Sequence, residues 1–105
     1  DLSFSHTKLN DADWEALGRL VTMQRLFLKR MKPMLQDECV PSLLQLRKLQ
    51  LIGLEDNDLS FDGTEKLLHG LSPCQLTELR VRGSFDVSGR TKSQLASKYP
   101  HVALL

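Results

Sequence analysis

The chain has 105 residues, and its 14 lysines and arginines against 13 aspartates and glutamates leave a formal net charge of +1. This balance gives no overall attraction to nucleic acid or to a membrane surface. No apolar run approaches the roughly 18 residues of a membrane span, and no signal peptide is visible. A chain of this length buries roughly 60–65% of its unfolded surface, which is enough for one modest core.

The first predicted strand is Leu2-x-Phe4, and a predicted helix follows it. Asn10-Asp11-Ala12-Asp13 are capping residues. The helix has an apolar stripe, formed by Trp14, Leu17, Leu20 and Val21. A single aromatic residue on such a stripe packs more often than it anchors a partner, so we expect Trp14 to pack between neighbouring helices.

The second predicted strand begins an apolar skeleton that recurs along the chain. It reads Met23-x-x-Leu26-x-Leu28-x-x-Met31, with Leu26 and Leu28 facing inward. Met23, Met31 and the nearby Met34 are interpreted as core-filling residues. Because residues 37–44 include Pro41, which cannot lie deep inside a helix, we expect only one or two short helical turns there, broken or restarted at the proline.

The third unit repeats the skeleton as Leu46-x-x-Leu49-x-Leu51-x-x-Leu54, with Leu49 as the counterpart of Leu26. Leu49 and Leu51 are predicted to face inward. In the acidic corner at residues 55–58, Asn57 is predicted to bond the backbone, because the spacing does not fit a calcium loop. A capping box of Asp62 and Glu65 predicts a helix with an apolar face, formed by Leu67, Leu68 and Leu71.

The fourth unit has the strand Leu76-x-x-Leu79-x-Val81, with Leu79 as the counterpart of Leu49 after a longer interval. Residues 83–89 form an atypical loop. Thr91-Lys92-Ser93-Gln94 is a candidate capping box for a last helix, which contains Leu95 and Tyr99 and ends before Pro100. Val102-x-Leu104 is the closing strand, with Val102 as the counterpart of Leu79.

Strand, loop, helix and loop therefore alternate, with right-handed crossovers between parallel strands. The pattern Leu46-x-x-Leu49-x-Leu51-x-x-Leu54-x-x-Asn57-x-Leu59, followed by a helix, resembles the leucine-rich repeat. The resemblance implies an α/β solenoid with short parallel strands on the concave side and helices on the convex side. The expected repeats are 1–22, 23–45, 46–75 and 76–100, with a closing strand at 101–105. We expect one domain, the C-terminal part of a longer array, because the first residues already look like the middle of a strand.

Catalytic chemistry is not indicated. His6, His69 and His101 are scattered and lack metal-ligand spacing. No phosphate loop or nucleophile motif is visible, so we expect no enzyme, no cofactor and no metal. Cys39 and Cys74 lie at non-equivalent positions, and we interpret them as free buried thiols rather than as a disulfide. Free thiols are typical of a reducing compartment, so we expect a cytoplasmic location.

The outward residues of the predicted strands give the candidate binding site. Five of the nine outward residues in units two to four are basic and one, Glu78, is acidic. The candidate partner-binding residues are Arg25, Phe27, Lys29, Lys48, Gln50, Ile52, Arg80 and Arg82. They predict a basic docking face for an acidic protein segment, with Phe27 and Ile52 as apolar contacts. The alternative is a solvated sheet face without a partner.

The resemblance implies a non-catalytic protein-interaction module, with no nucleic acid or membrane partner. The repeats are similar in style to the sensing or autoinhibitory repeats of NOD-like receptors, which act in innate immunity. The alternatives are the substrate-recognition repeats of an F-box ubiquitin-ligase subunit and a structural cap that contacts only the rest of its own longer chain. A helical death-fold adaptor is a further alternative, suggested by the first helix alone.

Overall fold

The chain forms an α/β fold in a computed structural model that describes residues 1–84 and 86–105. The strands are β1 Leu2–Ser5, β2 Arg25–Lys29, β3 Leu51–Gly53, β4 Glu78–Arg80 and β5 Ala103–Leu104. The α-helices are α1 Asp11–Gly18, α2 Val40–Leu43, α3 Phe61–Leu71 and α4 Gly89–Lys98, with a short 3₁₀ helix at Asp37–Cys39. All five strands are parallel and lie in chain order, which confirms the predicted alternation of strands and helices.

The register of the sheet corrects two of the predicted strands. The aligned buried or half-buried residues are evenly spaced along the chain, at Leu2, Leu26, Ile52, Leu79 and Leu104. The prediction that Leu49 and Leu51 are the inward pair of the third strand was wrong, because Ile52 and Leu54 are fully buried there. Leu49 is also buried, but it precedes the strand, and Leu51 lies half-buried on the opposite face. Likewise Leu104, not Val102, pairs with Leu79.

One backbone conformation recurs after each of the first four strands. His6, Arg30, Asp56 and Gly83 have φ values of 56°, 46°, 59° and 92°. Each lies four residues after the aligned residue of its own strand. The left-handed region costs a non-glycine residue roughly 1 kcal/mol, so its recurrence at one structural position is not expected by chance. The backbone therefore takes a positive φ at the same position after each of these four strands.

The helices in the first half of the chain are short. In α1 the predicted capping role is confirmed for Asn10, which is the N-cap and exchanges two hydrogen bonds of 2.9 Å with Asp13. The helix ends at Gly18, so the predicted apolar stripe is correct for Leu17 but wrong for Leu20 and Val21, which are 46% and 54% exposed. In the second unit the helical turn is short and begins around Pro41, as predicted.

The two later helices begin earlier than predicted. In α3 the N-cap is Ser60, whose Oγ accepts the N–H of Gly63 at 3.0 Å. In α4 the N-cap is Ser88, whose N–H donates to Thr91 Oγ1 at 3.0 Å. The predicted boxes starting at Asp62 and Thr91 were wrong, because both residues already lie in the first turn. The last helix ends at Lys98, two residues before Pro100.

The core lies between the inward side chains of the sheet and the helices. Leu26, Leu28, Ile52, Leu54, Leu79 and Val81 belong to one buried cluster with Leu17, Leu43, Leu67, Leu68, Leu71 and Leu95. Trp14 is half-buried and packs against this cluster. Met31 fills the core as predicted and Met23 is half-buried, but the prediction for Met34 was wrong, since it is 47% exposed.

Candidate protein-binding surface

The sheet presents a second face, opposite to the core, which we call the exposed face. Its central row is Ser3, Phe27, Gly53 and Arg80, and the row beside it is Arg25, Leu51, Glu78 and Ala103. Two residues further along the strands lie Lys29, Glu55 and Arg82. Backbone hydrogen bonds of 2.9 Å from Arg30 to Glu55 and of 2.7 Å from Asp56 to Arg82 continue the parallel pairing there.

The centre of the exposed face is an ordered aromatic platform. A Cβ placed on Gly53 would lie 2.7 Å from Cδ1 of Phe27, so the Phe27 ring covers this glycine closely. The guanidinium carbon of Arg80 lies 5.8 Å from the centroid of the same ring, within the range of a cation–π contact. Nε of Arg80 also donates to Oε2 of Glu78. We call these four residues the Phe27 platform, and the contacts among them fix the position of the ring.

Five of the eight predicted binding residues share the exposed face: Arg25, Phe27, Lys29, Arg80 and Arg82. The other three do not belong to it. Ile52 is completely buried, and Lys48 and Gln50 precede β3. The cause is a shift of register by three residues in the third strand, from Leu49 to Ile52 opposite Leu26. A shift by an odd number of residues exchanges the two faces of a strand.

The corrected register also changes the charge of the surface. Leu51, Gly53 and Glu55 take the places that the sequence assigned to Lys48, Gln50 and Ile52. The face therefore has four basic residues, Arg25, Lys29, Arg80 and Arg82, against two acidic ones, Glu55 and Glu78. The face is less basic than predicted, because Lys48 does not belong to it and Glu55 does. What remains is a mixed pattern in which Lys29 and Arg82 flank Glu55 from the two neighbouring strands.

A buried asparagine stabilises the turns at the carboxyl end of the strands. Oδ1 of Asn57 accepts the N–H groups of Met31 at 3.2 Å and Leu35 at 3.0 Å. Its Nδ2 donates to the carbonyl oxygens of Leu28 at 2.6 Å and Glu55 at 3.3 Å. This confirms the predicted backbone-bonding role of Asn57, and it shows that the bonds join two successive units.

The two thiols differ in environment. Cys39 is buried, and this burial, together with the nearby carboxylates of Glu38 and Asp37, raises the pKa of its thiol to about 12. Such a thiol is protonated at neutral pH and is therefore a poor nucleophile. Both cysteines are free, but the prediction of burial is correct only for Cys39, because Cys74 is half-buried.

Among the described residues, no group of three or more histidine, cysteine, aspartate or glutamate side chains is placed to hold a metal ion. No helix in the described ranges is long and apolar enough to cross a membrane. Comparisons of the chain with protein-family models, with curated proteins and with solved structures find no match. A function therefore has to be inferred from the residues and their geometry.

Proposed function

We propose that this chain is an array of leucine-rich repeats and that it acts as a non-catalytic module that binds a protein partner on its exposed face. The repeat interpretation is supported by the regular parallel pairing and by the left-handed turn that recurs at His6, Arg30, Asp56 and Gly83. It is also supported by Asn57, whose hydrogen bonds join successive units.

The observation on which the binding proposal depends is the Phe27 platform. A half-buried aromatic ring, supported by Gly53 beneath and Arg80 beside it, is an apolar contact that loses little freedom when a partner binds. Lys29 and Arg82 lie two strands apart, which corresponds to about 10 Å across a parallel sheet. A partner segment with an apolar or aromatic side chain for Phe27 and two carboxylates at this spacing would complement the surface.

The charge pattern of the exposed face limits which acidic segments can bind. Glu55 lies between Lys29 and Arg82, so a third carboxylate in the middle of the segment would meet a like charge. We therefore propose a segment with separated acidic residues rather than a continuous acidic run. By the family resemblance, such a surface would belong to the sensing or autoinhibitory repeats of a cytoplasmic innate immune receptor.

The test uses a random peptide library displayed on phage and selected on the full chain. The proposal predicts enrichment of aromatic residues flanked by separated aspartates or glutamates. The double variant Lys29→Glu with Arg82→Glu, and the single variant Phe27→Ala, should each weaken the best selected peptide by about tenfold or more. The matched control is Lys66→Glu with Lys92→Glu, which makes the same change of net charge on α3 and α4. Selected peptides without acidic residues, or equal weakening by the control pair, would refute the proposal.

A structural role without a ligand is the second candidate. It is favoured by ion pairs that partly neutralise the charges of the exposed face. Arg80 pairs with Glu78, and Arg25 approaches Asp1 at 3.9 Å. A surface that satisfies its own charges needs no partner. Under this candidate the library selection yields no peptide whose binding depends on Phe27, Lys29 or Arg82.

A further inference from the structure

A groove separates α1 from the irregular segment at residues 31–39. Its volume is about 430 Å³, within the range of small binding pockets. We call it the α1 groove. Twelve residues line it, and the apolar part of the lining includes Leu9, Trp14, Met31, Met34, Leu35 and Cys39. None of them belongs to the exposed face, so this site is independent of the function proposed above.

The groove exists because the second unit lacks a full helix. Where α3 has eleven residues, the second unit has only a 3₁₀ turn and the four residues of α2. The backbone along its floor is nevertheless fixed. Asn57 accepts the N–H groups of Met31 and Leu35, and the N–H of Lys32 donates to the carbonyl oxygen of Thr7 at 2.9 Å. The groove is therefore a fixed feature of the fold, because hydrogen bonds hold the backbone of its floor.

The lining and the rim of the groove differ in chemistry. The side chains of Met31, Leu35 and Cys39 form a buried floor, while Trp14 is half-buried and Met34 is 47% exposed. Thioether and thiol groups adapt readily to the shape of an apolar guest. An exposed methionine beside a half-exposed tryptophan also presents more apolar surface than a solvated wall requires.

The rim of the groove is acidic. Asp11 and Glu38 lie on it together with a single basic residue, Lys8. Within residues 1–84 and 86–105, neither Asp11 nor Glu38 has a basic group within 4.0 Å. Two uncompensated carboxylates beside an apolar floor favour a guest that joins an apolar group to a cation.

We propose that the α1 groove is a docking site for a partner protein that inserts one bulky apolar side chain followed directly by arginine or lysine. The apolar side chain contacts Trp14, Met31 and Met34, and the cation lies between Asp11 and Glu38. This preference is opposite in sign to that of the exposed face, where the proposed partner is acidic.

The test is a titration followed by NMR of methionine methyl groups labelled with carbon-13. The probe is N-acetyl-Phe-Arg-amide, and N-acetyl-Phe-Glu-amide is its charge-reversed counterpart. The chain has three methionines, of which Met31 and Met34 line the groove while Met23 lies elsewhere, beside Leu2 and Leu20. We expect saturable shifts at Met31 and Met34 and none at Met23, with affinity for the arginine peptide about fivefold or more above that for the glutamate peptide.

Two variants separate groove binding from general electrostatic attraction. Asp11→Asn combined with Glu38→Gln should remove the preference for the arginine peptide while the apolar contact remains. The control is Glu15→Gln, on the same helix, where Glu15 pairs with Arg19 and does not line the groove. Equal affinity for the two peptides, an equal shift at Met23, loss of the preference in the control, or no shift with about 10 mM of the arginine peptide would each overturn the proposal.

Discussion

Replacing Asn57 by alanine should reveal how strongly the units depend on one another. The side chain is completely buried and makes four hydrogen bonds to backbone groups. Asn57→Ala would leave the N–H groups of Met31 and Leu35 and the carbonyl oxygen of Leu28 without this partner. The bond to Glu55, at 3.3 Å, is long and should matter least.

The expected loss of stability follows from the cost of unpaired polar groups. A buried donor or acceptor left without a partner costs roughly 1–3 kcal/mol, and neighbouring losses are not additive. We therefore expect Asn57→Ala to lower the free energy of unfolding by about 3–5 kcal/mol. Small domains have roughly 5–15 kcal/mol in total, so the urea midpoint should fall by a large fraction of its wild-type value. Urea unfolding followed by far-UV circular dichroism measures this change.

Two companion variants make the reasoning testable. Asp58→Ala changes an exposed neighbour and should alter stability by no more than about 0.5 kcal/mol. Asn57→Asp keeps the acceptor oxygen but replaces the donating amide nitrogen with a second oxygen beside the Leu28 carbonyl. Burial and this unfavourable contact raise the pKa of the new carboxyl above its unfolded value. Its stability should then be greatest in acid and should fall as the pH rises through that raised pKa. A loss below about 1 kcal/mol for Asn57→Ala, or no pH dependence for Asn57→Asp, would refute this account.

Two further predictions concern the Phe27 platform and the buried thiol. Gly53→Ala should push the Phe27 ring away from Arg80 at a cost of only about 1 kcal/mol, because the ring can move toward solvent; the NMR shifts of the Arg80 side chain measure this, and unchanged shifts would contradict it. The folded pKa of Cys39 is raised from 9.0 to about 12, so its contribution to stability is complete below pH 9.0 and declines as the pH rises from there. The total decline is up to about 4 kcal/mol. The free energy of unfolding of Cys39→Ala, measured with urea between about pH 8 and 11, should therefore decline less with pH than that of the wild type. An identical dependence on pH in the two proteins would contradict burial of the thiol as the cause.

The sequence predicted the kinds of elements better than their register. The strands around Leu26 and Leu79 were predicted with the correct inward residues, because only one set of apolar residues alternates there. In the third unit leucines or isoleucine occupy positions 46, 49, 51, 52 and 54, so more than one alternation fits. Even spacing could have decided the question, since Ile52 lies almost midway between Leu26 and Leu79, whereas the predicted Leu49 lies clearly closer to Leu26.

The wrong register of the third strand also misplaced three residues of the candidate site. The other features of the site depend on contacts that the sequence pattern does not show. Five surface residues were predicted, but the support of Phe27 by Gly53 and the pairing of Arg80 with Glu78 depend on three-dimensional packing. The α1 groove was missed for a related reason. The sequence showed that Pro41 shortens the second helix, but it could not show that the space left open would be lined by Trp14 and Met34.

The most direct test of the whole account compares lysine at two adjacent positions of β3. The exposed face as described requires Ile52 in the core and Leu51 on the other side of the sheet. Ile52→Lys would bury an unpaired charge and should cost about 4 kcal/mol or more, enough to unfold much of the protein. Leu51→Lys should change the free energy of unfolding by no more than about 1 kcal/mol. Thermal unfolding of the two variants measures the difference. A stable Ile52→Lys variant together with an unfolded Leu51→Lys variant would contradict the register and the binding proposal that depends on it.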